Sequence, residues 1–285
     1  MIVDFRVQPP WGSFVDTYFY RARPPVYDPL TSSPFAVGRP PMPSFDERSI
    51  ARFMTEMDAA GIDLAVVMGQ AAAPPYHTVP NDEIAALLAA YPGRFAGFAG
   101  IDTGDPEAAV HEAQRAITQL GLQGVHLVTG WGDPARHEDD PALADLYRCC
   151  TELGVPVAVT SSHMVGPDLS WANPVHVQRV AFAHPDLTLI VAHASWPWVT
   201  QACAVAIRCR NVFLMPEFYM YMPDMPGALD YVRGANWALG DRFLYSSCYP
   251  TRPLDQSLAD FRALPLRADV QEKMLGANAA RLLGL

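Results

Sequence analysis

The sequence predicts a closed (β/α)8 barrel, and three observations lead to it. Short apolar runs alternate with longer amphipathic stretches along nearly the whole chain, as buried parallel strands alternate with crossover helices. Eight such runs can be counted, the last followed by helix, which favours closure over an open doubly wound sheet. No GxGxxG follows the first run, and Gly100-Ile-Asp-Thr-Gly104 is too sparse for a dinucleotide loop. A length of 285 residues suits a barrel, which commonly runs roughly 250 residues as one unit. The expectation is therefore one domain over residues 1–285.

Residues 2–7 read as the first strand. It runs into a long loop at about 9–43 that carries Trp11, Phe14, Tyr18, Phe19 and Tyr20 and the pairs Pro9-Pro10, Pro24-Pro25 and Pro40-Pro41. Loops of this length are usually functional or disordered; so many aromatics favour a loop folded over something. Ser44, with Glu47 three residues on, reads as a capping box. It opens a helix with Ile50, Phe53, Met54 and Met57 that ends at Gly61. Strands are then expected over 62–68, 94–101, 122–129, 155–160, 187–192, 212–215 and 243–246. The helices between them are expected over 81–90, 105–120, 141–153, 174–183, 197–209 and 228–239, with 254–263 and 268–283 closing the chain.

The net charge of −10 excludes the basic stripe that nucleic acid requires. No apolar run approaches the roughly 20 residues of a membrane helix. The start, Met1-Ile-Val-Asp-Phe5, lacks a basic segment followed by an apolar one, so no signal peptide is expected. Cys149, Cys150, Cys203, Cys209 and Cys248 are odd in number and without CxxC spacing. They read as reduced thiols of a cytoplasmic protein.

In such a barrel the chemistry sits where strands end. Those ends supply Asp4, Arg6 and Gln8, then Gln70, Asp102, His126 and Thr129, then Thr160, Ser161 and His163. Later strands supply His193 and Ser195, Glu217 and Tyr219, and Ser246, Ser247, Cys248 and Tyr249.

Several of these stretches carry a resemblance. His193-Ala-Ser-Trp-Pro-Trp198 resembles the HxGxPW motif of the amidohydrolase-related (amidohydrolase-2) family. Asn211-Val-Phe-Leu resembles its NVYLD strand, and Asp241-Arg-Phe-Leu-Tyr-Ser-Ser-Cys-Tyr-Pro its DRILFGSDYP. Leu275-Gly-Ala-Asn-Ala-Ala-Arg-Leu-Leu-Gly resembles the family's ILGxNAxRLLGL tail. The match is strongest from about residue 150 onward. It implies a TIM barrel of the metal-dependent-hydrolase type that hydrolyses, decarboxylates or hydrates small carboxylates, rings or lactones, usually with one divalent metal.

This chain departs from the family at the metal positions. Arg6 and Gln8 stand where HxH would end the first strand, Thr160 stands at the fifth-strand histidine, and Cys248 replaces the aspartate of GSDYP. A guanidinium has no lone pair to give and repels a cation. The expectation is therefore no metal cofactor, with a divalent ion such as zinc at a relocated site of His163, Glu217 and Cys248 as the less favoured alternative. Arg6 instead polarises a carbonyl or grips a carboxylate, or simply pairs with Glu217 or Asp4. His193 handles the proton, Glu217 assists, and Cys248 is a nucleophile of lowered pKa or a small buried residue. Asp4, Gln8, His163, Trp196 and Tyr219 are expected to bind substrate, with Tyr221 and Trp198 in the same apolar wall. The expected reaction is hydrolysis of a small lactone, ester or amide bearing a carboxylate. The alternatives are non-oxidative decarboxylation or another lyase reaction on a small aromatic acid, and a barrel that binds a ligand without catalysis. A small molecule is the expected partner, with a homodimer left open.

Overall fold

The computed structural model describes residues 1–20, 42–222 and 224–285. Among these residues, seven strands, β1 (Val3–Val7), β2 (Leu64–Met68), β3 (Phe95–Gly100), β4 (Gly124–Leu127), β5 (Val157–Ser162), β6 (Leu189–Trp196) and β7 (Val212–Met215), pair in sequence order. Every pairing is parallel. The helices are α1 (Pro43–Asp46), α2 (Ile50–Ala60), α3 (Asn81–Ala90), α4 (Pro106–Thr118), α5 (Ala144–Leu153), α6 (Val175–Ala183), α7 (Val199–Arg208), α8 (Phe218–Tyr221), α9 (Ala228–Gly234), α10 (Leu254–Arg262), α11 (Ala268–Glu272) and α12 (Asn278–Leu283).

The strands are apolar on both faces because both are buried. Val3, Phe5, Val66, Met68, Phe98, Ala158, Ile190, Ala192, Phe213 and Met215 point to one side and fill the lumen. Their neighbours Ala65, Val67, Ala99, Val125, Val157, Val159, Leu189, Val191, Val212 and Leu214 face the helices. Burying each large side chain contributes roughly 1.5–3 kcal/mol, so a slip of one residue in any strand would exchange the two sets at great cost.

The eighth run closes the ring, but not as the regular strand expected over 243–246. It bridges β7 at Leu214–Phe243 and β1 at Val7–Tyr249, and the Phe5 and Gln8 amides donate to the Tyr245 and Tyr249 carbonyls. Side chains take the remaining bonds: Ser246 Oγ accepts from the Cys248 amide, Ser247 Oγ from the Tyr249 amide, and Asp4 Oδ1 from the Ser247 amide. Short polar side chains that bond nearby backbone compete with a ladder in this way.

Three other expectations are corrected. Ser44 does not cap a long helix. It lies inside α1, Ser49 caps α2 by accepting from the Arg52 amide, and Arg48 between them has φ 50°. The helices expected over 228–239 and 268–283 each widen into a π-turn, at Ala235–Leu239 and Lys273–Ala277. The second turn frees the Met274 carbonyl to accept from the Tyr245 amide, and Gly276 leaves room there for the Met1 carbonyl. Part of the expected loop, with Pro24-Pro25 and Pro40-Pro41, lies outside the described residues. Its start forms a 3-10 turn at Gly12–Asp16, held where Trp11 Nε1 donates to the Glu83 carbonyl.

Candidate active site

A bulge in β1 positions the central group. The pairing with β2 shifts between Asp4 and Val7, and the extra residue turns Arg6 into the barrel mouth. There Arg6 Nη1 lies 2.9 Å from Cys248 Sγ, 3.1 and 3.2 Å from the two Glu217 carboxylate oxygens, and 3.3 Å from His193 Nε2. His193 Nδ1 lies 2.8 Å from Glu217 Oε2. All four residues are buried.

The backbone is bent to make this meeting. His193 (φ 63°), Glu217 (φ 58°) and Cys248 (φ 60°) all occupy positive φ, as do Ala194 and Ser195 beside His193. None is glycine, and such conformations cost of order 1–3 kcal/mol each. Strain of this kind is retained where surrounding structure holds it, and here it falls on three residues that each offer a donor atom.

The charges settle around the Arg6–Glu217 pair. Burial pushes the Glu217 carboxyl up, but Arg6 and then His193 outweigh it and bring it down to about 2. Burial would also lower the Arg6 pKa, yet Glu217 and Cys248 hold it above its ordinary value. His193 is lowered, first by burial, with Arg6 adding to this against Glu217. It is therefore neutral near pH 7, and an ionised Glu217 on Nδ1 leaves the Nε2 lone pair facing Arg6. Burial and then Glu217 push the Cys248 thiol well above its usual range. Of the two readings given for Cys248, that opposes the lowered-pKa nucleophile and favours the small buried residue, because burial and the carboxylate outweigh Arg6.

An aromatic wall stands beside the cluster. Trp196 and Tyr219 stack with centroids 5.0 Å apart and planes 12° apart. His163 meets both edge-on, its Nδ1 3.1 Å from the Tyr219 hydroxyl. Burial, then His193, lowers His163 to about 4. The Trp198 indole N–H donates to the Leu169 carbonyl; Tyr221 packs under the eighth run, its hydroxyl donating to the Ser246 and Ser247 carbonyls.

Two residues expected to bind substrate are placed differently. Asp4 pairs in register with Ala65 on the helix side of the sheet, because alternate residues of a strand face opposite ways. There burial, offset by the Ser247 contacts, raises its carboxyl to about 6, and it ties β1 to the eighth run instead of facing the mouth. Gln8 donates from Nε2 to Gln70 Oε1, and its own buried Oε1 has no partner among the described residues. His126, which the sequence places toward the end of the fourth strand, lies buried in the lumen. Its Nδ1 is 2.6 Å from the Gly69 carbonyl and its Nε2 2.7 Å from Thr160 Oγ1. A carbonyl only accepts, so Nδ1 carries the proton and Thr160 donates to Nε2. The alternation Gly124-Val-His-Leu could have placed His126 on the lumen face.

A family model described as Amidohydrolase matches residues 3–285. The chain belongs to this amidohydrolase family. Among curated proteins, gamma-resorcylate decarboxylase from Rhodococcus jostii is 44% identical over 248 residues, covering 72% of this chain and 75% of that protein. A shorter stretch is 33% identical over 88 residues to 2-amino-3-carboxymuconate-6-semialdehyde decarboxylase from Dictyostelium discoideum, covering 31% of this chain and only 24% of that protein. Among solved structures, an uncharacterised TIM-barrel protein from Bordetella bronchiseptica superposes with TM-score 0.91 and 36% identity, covering 99% of this chain and 98% of that one. A 5-carboxyvanillate decarboxylase from Novosphingobium aromaticivorans, crystallised with manganese, superposes with TM-score 0.69 over 100% of this chain and 96% of that one. At 18% identity that likeness is one of fold.

The expectation of no metal cofactor is corrected by these findings. Members of this fold hold manganese, and this chain gathers its own donor set. One ligand atom each from His193, Glu217 and Cys248 lies within 4.8 Å of the others. The relocated ligand set read from sequence had Glu217 and Cys248 but paired them with His163; the structure brings His193 to them instead, while His163 stands on the aromatic wall. Imidazole, carboxylate and thiolate are proper donors for a divalent ion, so the donor chemistry fits. The space between them is filled by Arg6 Nη1, which holds them at hydrogen-bond distances instead of the roughly 2.0–2.3 Å of metal bonds.

Proposed function

We propose that this amidohydrolase-family barrel is a lyase that removes CO2 non-oxidatively from a small aromatic carboxylic acid. The observation that carries the reading is the mouth itself: a buried guanidinium whose partner is a carboxylate, beside the flat face of Trp196 on Tyr219. An aromatic acid supplies both complements. The similarity to gamma-resorcylate decarboxylases over most of the chain favours this reaction over the hydrolysis expected from sequence.

The residues divide the work as follows. His193, Glu217 and Cys248 would hold a divalent ion, whose Lewis acidity would pull on substrate oxygens. Arg6 would exchange Glu217 for the substrate carboxylate and fix its direction by a charge-assisted bond. Trp196 and Tyr219 pack against the ring and exclude water. A lone pair cannot serve an ion and a proton at once, so the proton falls to His163 in place of His193. His163 is half-buried, close enough to solvent to be recharged, and its lowered pKa makes its protonated form a strong donor. The ring carbon bearing the carboxylate gains this proton. Its bond to the carboxyl carbon then breaks, the electron pair returns to the ring and CO2 leaves. No water is consumed and no electrons are lost.

The test is a panel of hydroxybenzoic acids assayed for CO2 release in the presence of manganese or zinc. Turnover is expected, with His163→Asn slowing it by ~100-fold or more. Hydrolysis of a lactone with no CO2 from any acid would reject the reaction. Full turnover in His163→Asn would reject the proton assignment.

A further inference from the structure

We infer that Arg6 is a built-in competitor for the metal: its guanidinium and a divalent cation are alternative occupants of one site formed by His193, Glu217 and Cys248. The inference uses the donor set above and is read by metal binding alone, so it stands or falls separately from the decarboxylase reading.

The geometry at Arg6 is that of a cation in a coordination shell more than of a hydrogen-bonded side chain. Nη1 carries two hydrogens, yet four acceptor atoms from three residues crowd within 3.3 Å of it. Its Nε, meanwhile, is buried with no partner among the described residues. An ordinary structural arginine spreads its donors over the fork; here one nitrogen is overcrowded while another is unmet. The acceptors are also of three different chemistries, and each sits on a residue held at positive φ. A salt bridge to Glu217 needs none of that strain at His193 or Cys248. A shell that must converge on one small cation does.

It follows that a divalent ion binds only in molecules whose Arg6 side chain has swung out, and that the apparent affinity is lowered by the fraction that has not. Arg6 thereby keeps the donors assembled and charge-balanced when no metal is present.

The experiment is a cobalt(II) titration of the full chain followed by the near-ultraviolet thiolate-to-cobalt band and by calorimetry. Wild type should bind weakly and show the band, and Cys248→Ser should lose it. Arg6→Met should bind about tenfold tighter or better, and millimolar guanidinium ion added to Arg6→Met should weaken binding again by refilling the vacated position. Arg6→Gln, which keeps a donor for Glu217, serves as the second variant. Affinities for either variant within about twofold of wild type would overturn competition, as would a band that survives in Cys248→Ser. Variants that fold only when cobalt is present support the exchange, since the ion then replaces the missing charge. Variants that fail to fold even with cobalt count against it.

Discussion

Glu217→Gln removes one charge from a pair that has almost no contact with water: the Arg6 side chain is 6% exposed and that of Glu217 is 0% exposed. At 3.1 Å and an effective dielectric of about 20, the attraction is worth roughly 5 kcal/mol. Removing one partner of a buried pair costs about 3–5 kcal/mol, because the other charge stays behind unpaired. The two estimates agree, so metal-stripped Glu217→Gln should lose about 4 kcal/mol. Arg6→Met should lose a similar amount, leaving Glu217 as the stranded charge. The double variant Arg6→Met/Glu217→Leu removes both charges and should recover most of the loss, because apolar replacements for a buried pair are often near neutral. Urea unfolding followed by tryptophan fluorescence measures all three, and the cycle isolates the coupling. A loss below about 1 kcal/mol in Glu217→Gln would refute the buried pair. So would a double variant as unstable as the sum of the singles.

Glu138 gives a pH test: burial pushes its carboxyl from 4.5 up to about 8. Between those values the folded state holds a proton that the unfolded state has lost, so stability falls as pH rises through the window, by ~1.4 kcal/mol per unit and roughly 5 kcal/mol in all. Above about pH 6.5 the buried histidines are neutral in both states, so urea midpoints from pH 7 to 8 should fall in wild type and fall less in Glu138→Gln; equal slopes would show that another group titrates. Trp196→Ala strips the outer ring from the stack on Tyr219 and should raise KM for an aromatic acid by ~3–10-fold with kcat little changed. A fall in kcat at constant KM would place Trp196 in the chemistry. Gly276→Ala would drive a methyl group into the Met1 carbonyl and should cost about 1–3 kcal/mol; deleting Met1 and Ile2 from that variant should relieve the clash, and no change in urea midpoint would contradict the close approach.

The sequence by itself determined the architecture. Runs such as Leu64–Met68 and Val212–Met215 are apolar on both faces, and only a parallel strand covered on both sides accepts that pattern at such short length. Eight of them, spaced by helices, leave little besides a barrel, and the strand ends then name Arg6, His193, Glu217 and Cys248 as candidates. The tertiary structure alone decided what those four make together. Arg6 and Cys248 are 242 positions apart, and no local pattern states that their side chains meet at one nitrogen. Nor does it state that three residues adopt positive φ to aim there, or that Asp4 faces the helices while Arg6, past a bulge, faces the mouth. Propensity and periodicity are short-range properties of a chain. Convergence on a single point depends on closure of the ring, which only the folded molecule contains.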